Sequence, residues 1–190
     1  MASFQDRLNQ IVPRLVSDQL LTSSGLGNEI GFYIFDYPPE EEIQMRNHIQ
    51  FALGQLQKEK PELRVKHINL FELIVGYLKE RNLLERALQL QKDKGDQELL
   101  KALRAPLGAD KIAEVFVREA MPKEFDLVLI SGVGNVWPLL RTHSLLNNLQ
   151  PLMRNTPLVM FYPGEFTGNG LRLFGQLKEV NYYRAFRLVP

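Results

Sequence analysis

Cysteine is absent from the chain. That alone removes disulfides, thiolate nucleophiles and cysteine-ligated zinc from consideration, and it fits a reducing cytosol. An excess of one charge is lacking too. The 23 Lys and Arg face 22 Asp and Glu, leaving a net charge of +1, so the chain as a whole does not call for nucleic acid, an acidic substrate or a charged membrane surface. No apolar run reaches the roughly 18 residues of a membrane span. The opening stretch MASFQDRLNQIVPRL is amphipathic and carries Asp6; it has no apolar core of a secretory signal. A soluble, cytoplasmic protein is the expectation.

Catalytic motifs are equally scarce. No GxxxxGK segment occurs, so the lysine and hydroxyl that hold phosphates and magnesium in a P-loop are missing. No GxSxG elbow is present, which removes the usual presentation of a hydrolase serine. The three histidines, His48, His67 and His143, show no HxH or HExxH spacing, and no metal site or cofactor is expected. His48 beside an apolar helix face and His67 inside a strand read as structural histidines.

What is present is ordinary globular material. Hydrophobic residues make up 45% and charged residues 24% of 190 residues, enough for a real core in one domain spanning 1–190. Phe4, Leu8, Ile11 and Leu15 recur at helical spacing, with a break expected at Pro13. LTSSGLGNE reads as a loop. IGFYIF, from Ile30 to Phe35, is almost wholly apolar, as befits a strand covered on both faces. Pro38, Pro39 and three glutamates then open a helix whose apolar face is Met45, Ile49, Ala52, Leu53 and Leu56. LRVKHINL alternates like a strand. From Phe71 to Met121 the pattern is helical throughout, with Asp110 a cap for one of the helices. Phe125 to Ser131 and Pro157 to Tyr162 are further strands. Phe174 ends a short helix, and Ala185 to Val189 forms a last strand. The order implies an α/β fold: a mainly parallel sheet of about five strands, helices on both faces, and an all-helical insertion (71–121) between the second and third strands.

Ligands in such sheets sit outside the carboxyl ends of the strands. The candidates for that crevice are Asp36, Gly132, Gly134, Arg141 and His143. Within SGVGN the glycines suit either a phosphate cradle or a tight strand-to-helix turn; a lone GxG favours the turn, with Asn135 capping the helix and Pro138 in its first turn. Asp36 reads as a helix cap. An enzyme would need Asp36, Arg141, His143 and Glu165 to converge in one cleft.

The last third is basic. From Arg141 onward six Arg and Lys stand against two acids, and Trp137, Phe161, Tyr162, Phe166, Phe174, Tyr182, Tyr183 and Phe186 accompany them. Arginine with aromatics is the composition of a protein-contact hot spot. It is also that of a surface for single-stranded nucleic acid. Near-neutrality of the whole chain favours protein contact.

SGVGNVWPLLRTHSLLNNLQ, then TPLVMFYPGEFTGNGLRLFG, then NYYRAFRLVP, together with IGFYIFDYPPEEE near the start, resemble the BrxB family of small core proteins in BREX bacteriophage-exclusion systems. The resemblance covers the whole chain. It implies a role rather than a reaction. BREX systems combine an adenine DNA methyltransferase, a large ATPase, a PglZ-type alkaline-phosphatase-like protein and small accessory proteins, which together modify host DNA and block phage replication. By resemblance the chain is a non-catalytic adaptor or scaffold. A PglZ-type protein is the expected companion, with other BREX components as further partners. The PGE loop, LRLFG and the basic end, through Glu165, Arg172, Arg184 and Arg187, are the expected contact surface. The alternatives are a nucleic-acid-binding module and a degenerate P-loop-like nucleotide-binding domain.

Overall fold

A computed structural model describes residues 3–22, 31–153, 155–178, 180–182 and 184–190. The loop reading of LTSSGLGNE from Ser23 onward, Ile30 at the head of the first strand, and Arg154, Glu179 and Tyr183 of the basic third lie outside these residues.

Three short helices come first: α1 (Phe4–Asn9), α2 (Ile11–Leu15) and α3 (Asp18–Leu21). Ser3 and Asp6 cap α1 reciprocally: the Ser3 hydroxyl receives the Asp6 N–H, and the Asp6 carboxylate receives the Ser3 N–H. The expected break at Pro13 falls earlier, at Gln10. Pro13 sits inside the first turn of α2, where its missing N–H has no partner to lose.

Strand β1 (Phe32–Tyr37) and helix α4 (Glu42–Glu59) lead to β2 (Val65–Asn69). Next comes an all-helical run: α5 (Leu70–Glu80), α6 (Leu84–Lys94), α7 (Asp96–Leu103) and α8 (Ala109–Ala120). This is the insertion that the pattern implied, broken after α5 where Asn82 takes a left-handed φ of 55°. Gly108, rather than Asp110, stands at the N-cap of α8. Strand β3 (Leu127–Ser131) precedes α9 (Thr142–Met153), and β4 (Leu158–Phe166) is followed by β5 (Gly170–Leu173), β6 (Val180–Asn181) and β7 (Phe186–Arg187). Phe174 therefore ends no helix; it takes φ 58° as the chain leaves β5.

The sheet runs β2-β3-β4-β1-β7, and all four pairings along it are parallel. Side chains alternate across it. Tyr33, Phe35, Leu127, Leu129, Val159 and Phe161 face a core shared with α1–α4. Phe32, Ile34, Val128, Ile130, Met160 and Tyr162 face the larger core under the remaining helices. Opposite faces carry opposite directions of travel. Helix α4 takes the chain from β1 to the β2 edge, and α5–α9 bring it back to β4, as right-handed crossovers require. Beyond the sheet, β4 overruns its parallel partners and folds into an antiparallel annex with β5 and β6. Among the described residues no helix is long and apolar enough to cross a membrane.

Candidate functional site

Strand ends are where this fold would offer a ligand its place, and Asp36 stands next to last in β1. Its side chain is occupied by the protein itself. Arg7 of α1 donates through Nη2 to Oδ1 at 2.7 Å and through Nη1 to the Asp36 carbonyl at 2.8 Å. The Phe166 N–H donates to Oδ2 at 3.0 Å. Arg187 of β7 approaches Oδ2 at 3.4 Å and also donates to the Phe166 carbonyl. The Arg7 guanidinium meanwhile lies over the Phe35 ring, 4.8 Å from its centre. One carboxylate, 7% exposed, thus ties the first helix, the end of β4 and the last strand together. Asp36 is not a helix cap, since Pro38 and Glu41 hold the cap positions that follow β1. Arg187 is likewise drawn into this cluster, with its side chain 39% exposed.

The glycine loop is filled as well. Gly132 has φ 70°, and a Cβ there would stand 2.3 Å from Asn69 Oδ1. That oxygen already receives the N–H groups of Phe71 and Glu72 at 3.0 and 3.3 Å, capping α5. A Cβ on Gly134 would come within 2.9 Å of both the Phe174 ring and Pro163. Small residues are required because neighbouring side chains cover the loop, so SGVGN is a packed turn and offers no open cradle. Asn135 accepts from Arg46 Nη2 at 3.3 Å instead of capping a helix. Helix α9 begins only at Thr142, past Pro138, and the Trp137–Pro138 peptide is cis.

Arg141 and His143 do come together, in a cavity of about 300 Å³ between the 137–141 segment, the first turn of α9 and the β4–β5 annex. Trp137, Tyr162, Leu171, Leu173 and Lys178 complete much of its wall. Burial, and then the charge of Arg141, hold the His143 imidazole below its ordinary pKa. Its Nε2 lies 3.2 Å from Ser144 Oγ. Burial raises the Tyr162 phenol above its usual value. Asp36 and Glu165 do not line this cavity. The sequence gives no sign that Tyr162 and Lys178 meet Arg141 and His143 here. The first is hidden in an apolar strand, and the second arrives from the annex.

Glu165 and Arg172 face each other across the antiparallel β4–β5 pair. Their charges meet at 3.4 Å, with the side chains 57% and 40% exposed. Arg184 donates through Nη1 to Gln150 Oε1 at 2.5 Å. Of the aromatics in this third, Phe161, Tyr162, Phe166 and Tyr182 are core, while Trp137 and Phe186 reach solvent.

The other two histidines lie elsewhere: His67 lines the cavity beside β2, and His48 Nε2 is buried with no hydrogen-bond partner among the described residues. The His48 ring packs 5.6 Å from that of Phe51. His67 Nε2 is 2.8 Å from Ser131 Oγ. Burial lowers the pKa of both below 6.5. A lowered histidine pKa means the unfolded chain takes up the proton first as pH falls. Stability is therefore complete above about pH 6.5 and is lost below it. Carboxylates with lowered pKa, such as Asp126, add their loss only in the more acidic range. The melting temperature is expected to fall by several degrees between pH 7.5 and 5.5, and His67→Gln to flatten that slope; an unchanged slope in the variant would remove His67 as a source. Among the described residues no group of three or more His, Asp and Glu side chains is placed to hold a metal ion.

Comparison with known proteins gives one consistent match. The family model BrxB, described as BREX protein BrxB, matches residues 66–188. A BREX protein BrxB of Escherichia coli O9:H4 (strain HS) is 43% identical over 184 residues, covering 97% of this chain and 90% of its own. A BREX protein BrxB of Bacillus cereus (strain H3081.97) is 38% identical over 193 residues, covering 100% of this chain and 99% of its own. No solved structure matches. With a family model over more than half its length and full-length relatives at this identity, the chain belongs to the BrxB family of BREX proteins.

Proposed function

We propose that this chain is a non-catalytic adaptor of a BREX phage-defence system, and that it binds a PglZ-type companion and supports host DNA methylation and phage restriction. Family membership supports the system. The observation that carries the adaptor reading is the state of Asp36: this acid near the end of an inner strand is engaged by Arg7, Arg187 and the Phe166 N–H. Of the four residues an enzyme would have to gather, only Arg141 and His143 share a cavity.

The contact surface is the annex with its flank: Glu165 and Arg172 on the hairpin, Arg184 beside α9, and the exposed Arg187 on β7. Charged residues at half exposure beside aromatic side chains suit the rim and anchors of a protein interface. The test is co-expression with the PglZ-type protein of the same system, followed by size-exclusion chromatography at moderate salt. Co-elution is expected. Arg172→Ala with Arg184→Ala is expected to weaken capture at least about tenfold, a loss of about 1.4 kcal/mol, with the melting temperature close to the parent's. Clean separation of the two proteins at micromolar concentration would count against the adaptor reading, and undiminished capture by the folded double variant would remove this surface from it.

A further inference from the structure

The cavity at the start of α9 has the chemistry of a small-molecule site, which the adaptor reading neither uses nor needs. Its volume, about 300 Å³, lies at the small end for ligand pockets. It is divided in character. Leu171, Leu173, Leu177 and Val180 make an apolar wall, while Arg141, His143 and Lys178 supply donors and positive charge. Among the described residues no Asp or Glu lines it, although acids are nearly as numerous as bases in the chain. Among the described residues Arg141 and Lys178 have no ion-pair partner. Trp137 stands at the mouth, 45% exposed, braced edge-on by Phe174 at 6.4 Å.

A second feature lies on the same wall. Tyr162 lines the cavity and is 2% exposed, a buried phenol of the kind that normally finds a hydrogen-bond partner. A cavity of similar size beside β2 has the opposite lining: Glu72, Glu80 and Glu119 with one arginine, Arg118.

We propose that this cavity binds an aromatic phosphate monoester of nucleoside 5′-monophosphate size, with its ring on Trp137 and its phosphate toward Arg141, His143 and Lys178. A flat ring suits an exposed indole braced from behind. A dianion with three terminal oxygens suits several donors around the first turn of a twelve-residue helix. The volume leaves no room for a dinucleotide. The glycine loop plays no part, because its surface is already covered.

The molecule carries its own reporter, since Trp137 is the one tryptophan in the chain. Titration of the full chain with AMP, GMP, CMP and UMP, followed by tryptophan fluorescence and by calorimetry, is expected to saturate for at least one of them. Adenosine and inorganic phosphate, each holding half of the recognition chemistry, are expected to bind at least about tenfold more weakly, as is benzoate, which tests a carboxylate in place of the phosphate. Arg141→Ala and Lys178→Ala are on exposed positions and should fold; each is expected to weaken the mononucleotide several-fold. Tyr162→Phe keeps the packing and removes the hydroxyl, and is expected to weaken binding too. The proposal is overturned if no mononucleotide saturates by millimolar concentration, if phosphate alone binds as tightly, or if the folded Arg141 and Lys178 variants bind like the parent. None of these outcomes bears on PglZ capture, which is read separately.

Discussion

Gly164→Ala is expected to cost about 4 kcal/mol or more, by analogy with overpacking where the obstacle cannot move aside. At this chain length that corresponds to a fall of roughly 10 °C in melting temperature. The reason is the position of the clash. A Cβ on Gly164 would lie 2.2 Å from the Arg172 carbonyl oxygen, 2.9 Å from the Phe174 nitrogen and 3.1 Å from the Leu173 Cα. All three are backbone atoms of the paired strand, and the Phe174 N–H donates to the Pro163 carbonyl at 2.8 Å right beside them. Relief would require the hairpin to open, because no side chain is there to rotate. Gly168, at the hairpin tip with φ 91°, is the internal control, because a Cβ there would meet nothing within 4 Å. Gly168→Ala carries only the left-handed conformational penalty, about 1–2 kcal/mol. Melting of the two variants side by side checks the argument. Equal midpoints would mean that conformational strain, rather than the close approach of strands, decides both positions.

That hairpin is also the least legible part of the sequence. Phe174 reads there as the end of a short helix, while Gly170–Leu173 just before it is a strand too short for a period to show. Its pairing is set by a glycine at a contact that only the folded chain reveals. The central strands were legible because they are covered on both faces: IGFYIF and LVLIS are apolar runs with no alternation to confuse the reading. Helix α4 was legible because Met45, Ile49, Ala52 and Leu56 form one buried stripe. The start of α9 was not. Asn135 and Pro138 are good helix-start residues, but the Gly134–Val136 turn and an extended Trp137 use them first, and the helix waits until Thr142. Within the candidate site, Arg141 and His143 could be paired from sequence because they are two residues apart. Lys178 and Tyr162 come from other strands or loops, and their meeting with Arg141 is a long-range fact of packing. The partners of Asp36 are hidden for the same reason: Arg7 and Arg187 lie near opposite ends of the chain.

Those remote partners make Asp36 the second position of large expected effect. Asp36→Ala removes the acceptor for Arg7, Arg187 and the Phe166 N–H at once and leaves partly buried guanidinium groups without their counter-charge. Breaking a buried ion pair from one side costs about 3–5 kcal/mol, so a melting temperature lower by roughly 10 °C is expected. Asp36→Asn keeps an acceptor for the Phe166 N–H but not the charge, and should fall between parent and alanine variant. If the loss comes from the stranded arginine, Arg7→Ala combined with Asp36→Ala will cost clearly less than the sum of the single changes; simple additivity would deny the pair its role. Hydrogen exchange should show where the frame opens, with early loss of protection expected in α1 and around β7, the two ends that the carboxylate holds. The same variants separate frame from site. If Asp36→Asn lowers stability and leaves PglZ capture intact in the folded fraction, the acid is a tie between termini. If it keeps its melting temperature yet loses capture or restriction, the acid belongs to the working surface, and the strand-end crevice would have to be reread as one that exchanges Arg7 or Arg187 for a partner's charge.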